Sequence, residues 1–174
     1  MVRSVRPRRI VEVGSGHSTR FLARAVADGA LDTRITCVDP LPRARIEGLA
    51  VEWLAVPVQE TSKSIFENLD ILFIDSSHQL RPGSDVEYLI QEIIPALPPG
   101  VRVHFHDIFL PDGYPEQWAW RRYNEQEAVA ALIGNGLLAE EFSSHRESAR
   151  LTGALALLPL MPGALESSLW LRKN

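Results

Sequence analysis

The chain has 174 residues, with 18 Lys and Arg against 22 Asp and Glu, for a formal net charge of −4 at pH 7. That length suits one domain with a core of its own, and 45% hydrophobic with 23% charged residues excludes a disordered chain. The mild acidity gives no general footprint for nucleic acid or an anionic membrane, and the single cysteine, Cys37, excludes an intrachain disulfide and any multi-cysteine metal site.

No apolar run approaches the ~20 residues of a membrane span, and Met1–Ile10 lacks the apolar stretch of a signal peptide. The expectation is a single cytoplasmic domain over residues 1–174. Ile10-Val11-Glu12-Val13 reads as a buried strand that stops at Gly14-Ser15-Gly16. A helix follows from Ser18 to Asp28, with Phe21, Leu22, Ala25 and Val26 on one face and Gly29 as its stop. Ile35 to Val38 is a second buried strand ending at Asp39-Pro40, and Val51 to Leu54 a third.

Ile71-Leu72-Phe73-Ile74, bracketed by Asp70 and Asp75, is the clearest strand. A helix is predicted from Gly83 to Ala96, then a fifth strand from Val101 to His106 after the Pro98-Pro99-Gly100 turn. Pro111 to Tyr123 is an aromatic-rich loop without a period. Asn124 with Glu127 three residues later predicts a capping box, opening a helix that ends near Gly134-Asn135-Gly136. Leu137 to Phe142, Ala154 to Leu158 and Ser168 to Leu171 are candidate strands, with turns at Gly153 and Pro162-Gly163. Strand–helix alternation at this spacing implies a doubly wound, mostly parallel α/β sheet. Ligands of such sheets bind beyond the carboxyl ends of the strands, where the winding reverses. Glu12, Asp39, Asp75 and His106-Asp107 all fall at such ends.

The two glycines of Gly14-Ser15-Gly16 allow close backbone approach by a ligand just before a helix amino terminus. Asp39, ending the second strand, is placed to accept hydrogen bonds from both hydroxyls of a ribose. A dinucleotide fingerprint wants a third glycine where Thr19 stands. Glu12 would repel a pyrophosphate but suits an ammonium or sulfonium charge. Together these favour S-adenosylmethionine over NAD.

The runs Ile10 to Ser18, Cys37-Val38-Asp39-Pro40, Asp70 to His78 and Val103 to Ile108 resemble the class I S-adenosylmethionine-dependent methyltransferases. They are most similar to the small-molecule group whose fourth strand ends Ile-Asp-x-x-His and whose fifth ends His-Asp. The match covers residues 9–127, with Ser168 to Leu171 similar to that group's last strand. The resemblance implies a Rossmann-like, seven-stranded sheet with an antiparallel last strand. It implies that Glu12 and the Gly14-Ser15-Gly16 loop hold the methionine part of the cofactor, that Asp39 holds the ribose, and that Gln59 lies near the adenine. Ser18 takes the place of a third glycine in many relatives and belongs to the same cofactor-binding stretch.

Two readings of the acceptor end stand side by side. In one, Asp75, His106 and Asp107 bind Mg²⁺ or another divalent cation that lowers an acceptor hydroxyl's pKa. In the other, Asp75 contacts the cofactor's amino group, and His78 or His106 is the general base. Asp75, His78, His106 and Asp107 are the candidate catalytic residues under both. His104 reads as a core histidine, His17 as a loop residue packed near the cofactor and His145 as a surface residue. Tyr114, Trp118, Trp120 and Tyr123 either roof an acceptor pocket or form a satellite cluster that fixes the loop. Arg121 and Arg122 read as solvated or as contacts for an anionic acceptor, and the Arg3, Arg6, Arg8, Arg9 group as a solvated terminus.

The expected activity is methyl transfer from S-adenosylmethionine to a hydroxyl of a small molecule, with an amine as the alternative acceptor. The expected partners are that acceptor and a second copy of the chain, with no nucleic acid and no membrane. A methyltransferase-like binding module without turnover is the alternative, and an NAD-dependent oxidoreductase is a third reading that Thr19 and Glu12 disfavour.

Overall fold

The computed structural model describes residues 1–148 and 165–174. Seven strands form one sheet: β1 Arg9–Val13, β2 Arg34–Val38, β3 Glu52–Leu54, β4 Ile71–Ile74, β5 Arg102–Phe105, β6 Leu138–Ser143 and β7 Leu169–Lys173. Their spatial order is β3-β2-β1-β4-β5-β7-β6. β1 to β5 pair in parallel, and β7 lies antiparallel between β5 and β6. This is the seven-stranded sheet that the resemblance implied. The candidate strand Ala154 to Leu158, with the turns at Gly153 and Pro162-Gly163, lies outside the described residues.

The strand residues alternate between two cores, as a period of two requires. Val11, Val13, Leu72, Ile74, Val103 and Phe105 face one layer, where they meet Leu89, Ile93, Ile94, Val129 and Leu132. Ile10, Ile35, Cys37, Ile71 and Phe73 face the other, where they meet Val2 and Leu22. The helices α1 (Val2–Val5) and α2 (His17–Asp28) therefore cover one side. The helix α3 (Asp85–Tyr88) with its continuation, and α4 (Glu125–Gly134), cover the other.

Two local expectations are corrected. The helix predicted from Gly83 to Ala96 is not uniform: α3 passes into a π turn over Leu89–Ile93 and a 3-10 turn over Ile94–Ala96. Ser84 caps its start by accepting from Glu87 N at 3.0 Å, and the wide turn is accompanied by burial of both neighbours Ile93 and Ile94. The capping box at Asn124 does not form. Its side-chain amide is instead spent on Leu80, accepting from the Leu80 N–H at 2.6 Å and donating to the Leu80 carbonyl at 3.0 Å.

The chain enters the sheet at its middle, builds β1, β2 and β3 outward, then crosses back to lay β4 on the other side of β1. The backbone ladder also continues one residue past the strands. Asp39 N–H donates to the Leu54 carbonyl, Gly14 N–H to Val38, Asp75 N–H to Val13 and His106 N–H to Ile74, at 2.9–3.1 Å. Asp39, Gly14, Asp75 and His106 thus stand in a row at the carboxyl edge, about 5 Å apart from strand to strand.

Gly14 is the tightest point of that row. Its φ is +84°, and a Cβ built there would lie 1.8 Å from the Asp75 carbonyl oxygen. Gly14→Ala is expected to destabilise the domain by about 3 kcal/mol or more, from left-handed strain plus displacement of a central strand end. Urea unfolding of both proteins measures this, and a variant as stable as the parent would show that the two strand ends do not approach so closely.

Candidate active site

Two clefts open along this edge and meet at Asp75 and Arg43. The first, about 360 Å³, is bounded by Gly14, Asp39, Gln59, Ser76, Ser77 and Asp85. The second, about 370 Å³, is bounded by Ser15, Gly16, His17, Ser18, Phe21 and His106. Of the expected cofactor residues, Gly14, Asp39, Gln59 and Asp75 line the first, and Ser15, Gly16, Ser18 and Asp75 the second.

Asp39 is fixed by the loop it serves. Its Oδ2 accepts from Ser15 N–H at 2.6 Å and its Oδ1 from Leu41 N–H at 2.8 Å. An ionised carboxylate has about four acceptor positions, so two remain for a diol. Ser15 Oγ and Ser76 Oγ are buried without a hydrogen-bond partner among the described residues. Those orphaned hydroxyls, with the two glycines, are features that a polar nucleoside ligand would satisfy.

Glu12 does not face either cleft as expected. It is wholly buried beneath the loop and accepts from Thr19 Oγ1 at 2.5 Å, while Thr19 Oγ1 accepts from Gly16 N–H at 2.9 Å. Burial pushes its carboxyl up to about 7 against the hydrogen bonds of Thr19 and Ser18. Glu12 therefore acts on the loop through Thr19, the residue that broke the dinucleotide pattern.

The acceptor side is a cluster of charges. His78 is fully buried, with Nδ1 at 2.9 Å from Glu125 Oε2 and Nε2 at 3.3 Å from Asp75 Oδ1 and 3.9 Å from Asp107 Oδ2. Its backbone has φ +57°, held by the Asn124 N–H on its carbonyl, and its ring packs 4.5 Å from Tyr123. Burial disfavours a charged ring, but Asp75 and Glu125 outweigh it and push the pKa up to about 10. The ring thus lacks the access that a general base requires, and of the two histidines expected in that role only His106 borders a cleft.

His106 is the accessible member. Its side chain is 39% exposed, it lines the second cleft, and its Nδ1 lies 2.9 Å from Asp107 Oδ1. Burial lowers its pKa, yet Asp107 and Asp75 raise it above the ordinary histidine value. Asp107, itself at φ +56°, accepts from Ser167 Oγ at 2.9 Å. Burial pushes both Asp75 and Asp107 upward, but the neighbouring histidines bring each below the usual carboxylate range.

The expected metal set is not assembled. Among the described residues no group of three or more His, Cys, Asp or Glu is arranged to hold an ion. Asp75 and Asp107 present their oxygens to nitrogens of His78, His106 and Arg121 instead. Arg121 is not a freely solvated arginine either: its guanidinium lies 4.1 Å over the Trp118 ring and 3.6 Å from Asp107 Oδ2. Tyr114, Trp118 and Tyr123 pack with Phe109 as a satellite cluster, while Trp120 is 77% exposed. His145 pairs with Asp112 at 2.9 Å rather than standing free. His104 is the core histidine expected, stacked 3.9 Å from Phe73, with Nε2 at 3.1 Å from Ser168 Oγ.

Four contributors escaped sequence reasoning: Thr19, Arg43, Asp85 and Glu125. Asp85 accepts from Ser77 N–H and Ser77 Oγ at 2.9 and 2.5 Å, pinning the loop after β4 beside the first cleft. The Ser84-Asp85 pair at a helix start was the available signal for it. Nothing local marks Glu125, whose partner is 47 positions away.

Among the described residues no helix is long and apolar enough to cross a membrane. No curated protein sequence matches the chain. Solved structures do. A methyltransferase of Podospora anserina bound to S-adenosylhomocysteine (SAH) is similar over 99% of this chain and 74% of its own, at 18% identity and a TM-score of 0.61. An O-methyltransferase from Bacillus cereus in complex with SAH is similar over 99% and 77%, at 14% identity and 0.58. CmcI with magnesium and S-adenosylmethionine is similar over 100% and 68%, at 16% identity and 0.56. These likenesses establish the fold. The family profile described as methyltransferase domain matches residues 11–108, more than half the chain, and spans β1 to the end of β5 with the whole row of strand-end residues, so the chain belongs to that methyltransferase family.

Proposed function

We propose that the domain transfers the methyl group of S-adenosylmethionine to a hydroxyl oxygen of a small molecule. The observation that carries this reading is the row Asp39, Gly14, Asp75, His106, which borders two joined clefts with a carboxylate on one side and an accessible imidazole on the other. The description of the Bacillus cereus structure as an O-methyltransferase supports the choice of oxygen.

The cosubstrate, when bound, supplies an electrophilic methyl carbon on a sulfonium for in-line attack by the acceptor oxygen. Every other part of the task belongs to the chain. Asp39 holds the ribose diol with its two remaining acceptor positions, and Gln59 and Ser76 border the same cleft. Ser15 and Gly16 hold the amino-acid part. His106 receives the acceptor proton on its imidazole, while Asp107 Oδ1, 2.9 Å from Nδ1, supplies the negative charge that favours the imidazolium. Catalysis of this kind rests mainly on positioning the two reactants.

Asp39→Ala is expected to weaken S-adenosylmethionine binding by roughly tenfold or more, as loss of charge-assisted hydrogen bonds predicts. Isothermal titration calorimetry reads this, and an unchanged affinity removes Asp39 from the ribose.

The base assignment has a pH signature. Only neutral His106 takes a proton, so turnover should rise as pH passes upward through its elevated pKa. Asp107→Asn removes a charge that stabilises the imidazolium, so the rise should move to lower pH. SAH release measured across pH with a panel of phenols and alcohols tests both. A profile identical in the two proteins excludes His106 as the base. Tight S-adenosylmethionine binding with no methylated product from any acceptor would identify a binding module instead.

A further inference from the structure

We propose that Arg43 recognises the carboxylate at the amino-acid end of the cosubstrate, a task the glycine turn cannot perform because its own amide hydrogens are already engaged. This deepens the function proposed above and rests on it for the identity of the ligand.

A glycine turn that opens a helix ordinarily holds an anion on free main-chain N–H groups. Here each is taken. Gly14 N–H donates to the Val38 carbonyl at 3.0 Å, Ser15 N–H to Asp39 Oδ2 at 2.6 Å and Gly16 N–H to Thr19 Oγ1 at 2.9 Å. The turn can support the amino-acid end by contact, but it has no amide hydrogen left to offer a carboxylate. What remains is the dipole of α2, which opens at His17 with no acid in its first turn, and a side chain.

That side chain is Arg43. Among the described residues it is the only lysine or arginine that lines either cleft, and it lines both. Its main chain is fastened to the turn: the Arg43 N–H donates to the Ser15 carbonyl at 3.0 Å. A Cβ built at Gly16 would lie 3.4 Å from the Arg43 Cβ, so the base of the side chain rests directly on the turn. The segment before it is held by Asp39 Oδ1, which accepts from Leu41 N–H. Among the described residues the guanidinium has no hydrogen-bond or ion-pair partner, whereas Arg45, two positions on, lies 3.7 Å from Glu47. A planar guanidinium pairs with both oxygens of a carboxylate.

The other residue common to both clefts has the opposite charge. Asp75 presents Oδ1 to His78 and His106, at 3.3 and 3.8 Å, while its Oδ2 has no partner among the described residues. An amino-acid group carries an ammonium and a carboxylate on one carbon. Where the clefts join, such a group meets Asp75 Oδ2 for the first and Arg43 for the second.

Isothermal titration calorimetry with S-adenosylmethionine and its decarboxylated analogue tests this, because the analogue keeps the nucleoside, sulfonium and amine and lacks only the carboxylate. The parent should bind S-adenosylmethionine about tenfold more tightly or better, as expected for a charge-assisted hydrogen bond. Arg43→Ala should weaken S-adenosylmethionine by a similar factor without weakening the analogue, whose extra positive charge Arg43 repels. Arg43→Lys should recover only part of the loss, since an ammonium does not match both oxygens. The Arg43 side chain is exposed and its main-chain hydrogen bond survives truncation, so the variants should fold as the parent does.

Equal binding of the two ligands by the parent overturns the proposal. An Arg43→Ala variant that weakens both alike, or leaves S-adenosylmethionine unweakened, also overturns it. If that variant instead raises only the KM of carboxylated acceptors, the arginine belongs to the acceptor and the proposal fails. No acceptor enters the titrations, so the two readings fail separately. A parent that discriminates as expected yet transfers no methyl group keeps Arg43 in its role and defeats methyl transfer. A parent that binds neither ligand defeats the S-adenosylmethionine reading, and Arg43 with it.

Discussion

The site depends on the contact between the ends of β1 and β4. Only a residue without a side chain lets the chain leaving Val13 turn against the Asp75 carbonyl, and only that turn keeps the ladder in step across β2, β1, β4 and β5. Parallel pairing then converts register into chemistry. The residue following each strand is delivered to the same edge, so the polar groups there are spaced by the sheet and not by their own contacts. Functional groups mounted on such a rigid frame need little rearrangement to meet a ligand.

Beneath and beside that edge the fold tolerates buried charge in two different ways. Glu12 is sheltered singly, tied to one hydroxyl and driven toward its neutral form. His78 is sheltered among acids, and Asp75 and Glu125 push its pKa up against the cost of burial. The first arrangement braces the glycine loop from below; in the second, His78 and His106 together draw the Asp75 and Asp107 carboxyls below their usual range. Burial shifts a carboxyl toward neutrality, and a charged partner within reach opposes that shift.

Most of the frame was legible in the sequence. The strands are short apolar runs closed by Gly or Asp, a local signal, and Ile71–Ile74 was met residue for residue. Asp39, Asp75, His106 and Asp107 could be singled out because each follows such a run. Side chains whose meaning comes from distant partners were not legible. His78 looked like a free base because Glu125 lies far away in sequence, and Asn124 looked like a helix cap because Leu80 does. Arg121 looked solvated because its Trp118 and Asp107 neighbours are assembled only by the loop's path. The uniform helix expected after Gly83 failed for a related reason: the apolar stripe marks which residues are buried but not the pitch that buries them.

Trp53 has a position with an optical consequence. Its indole N–H donates to the main-chain oxygen of Asp39 at 2.9 Å, and the ring remains 40% exposed. The chromophore is thus coupled to the acid that borders the first cleft while still sampling solvent. A ligand that engages the Asp39 carboxylate would alter the polarity around the indole, so Trp53 emission would report occupancy of the first cleft without a label.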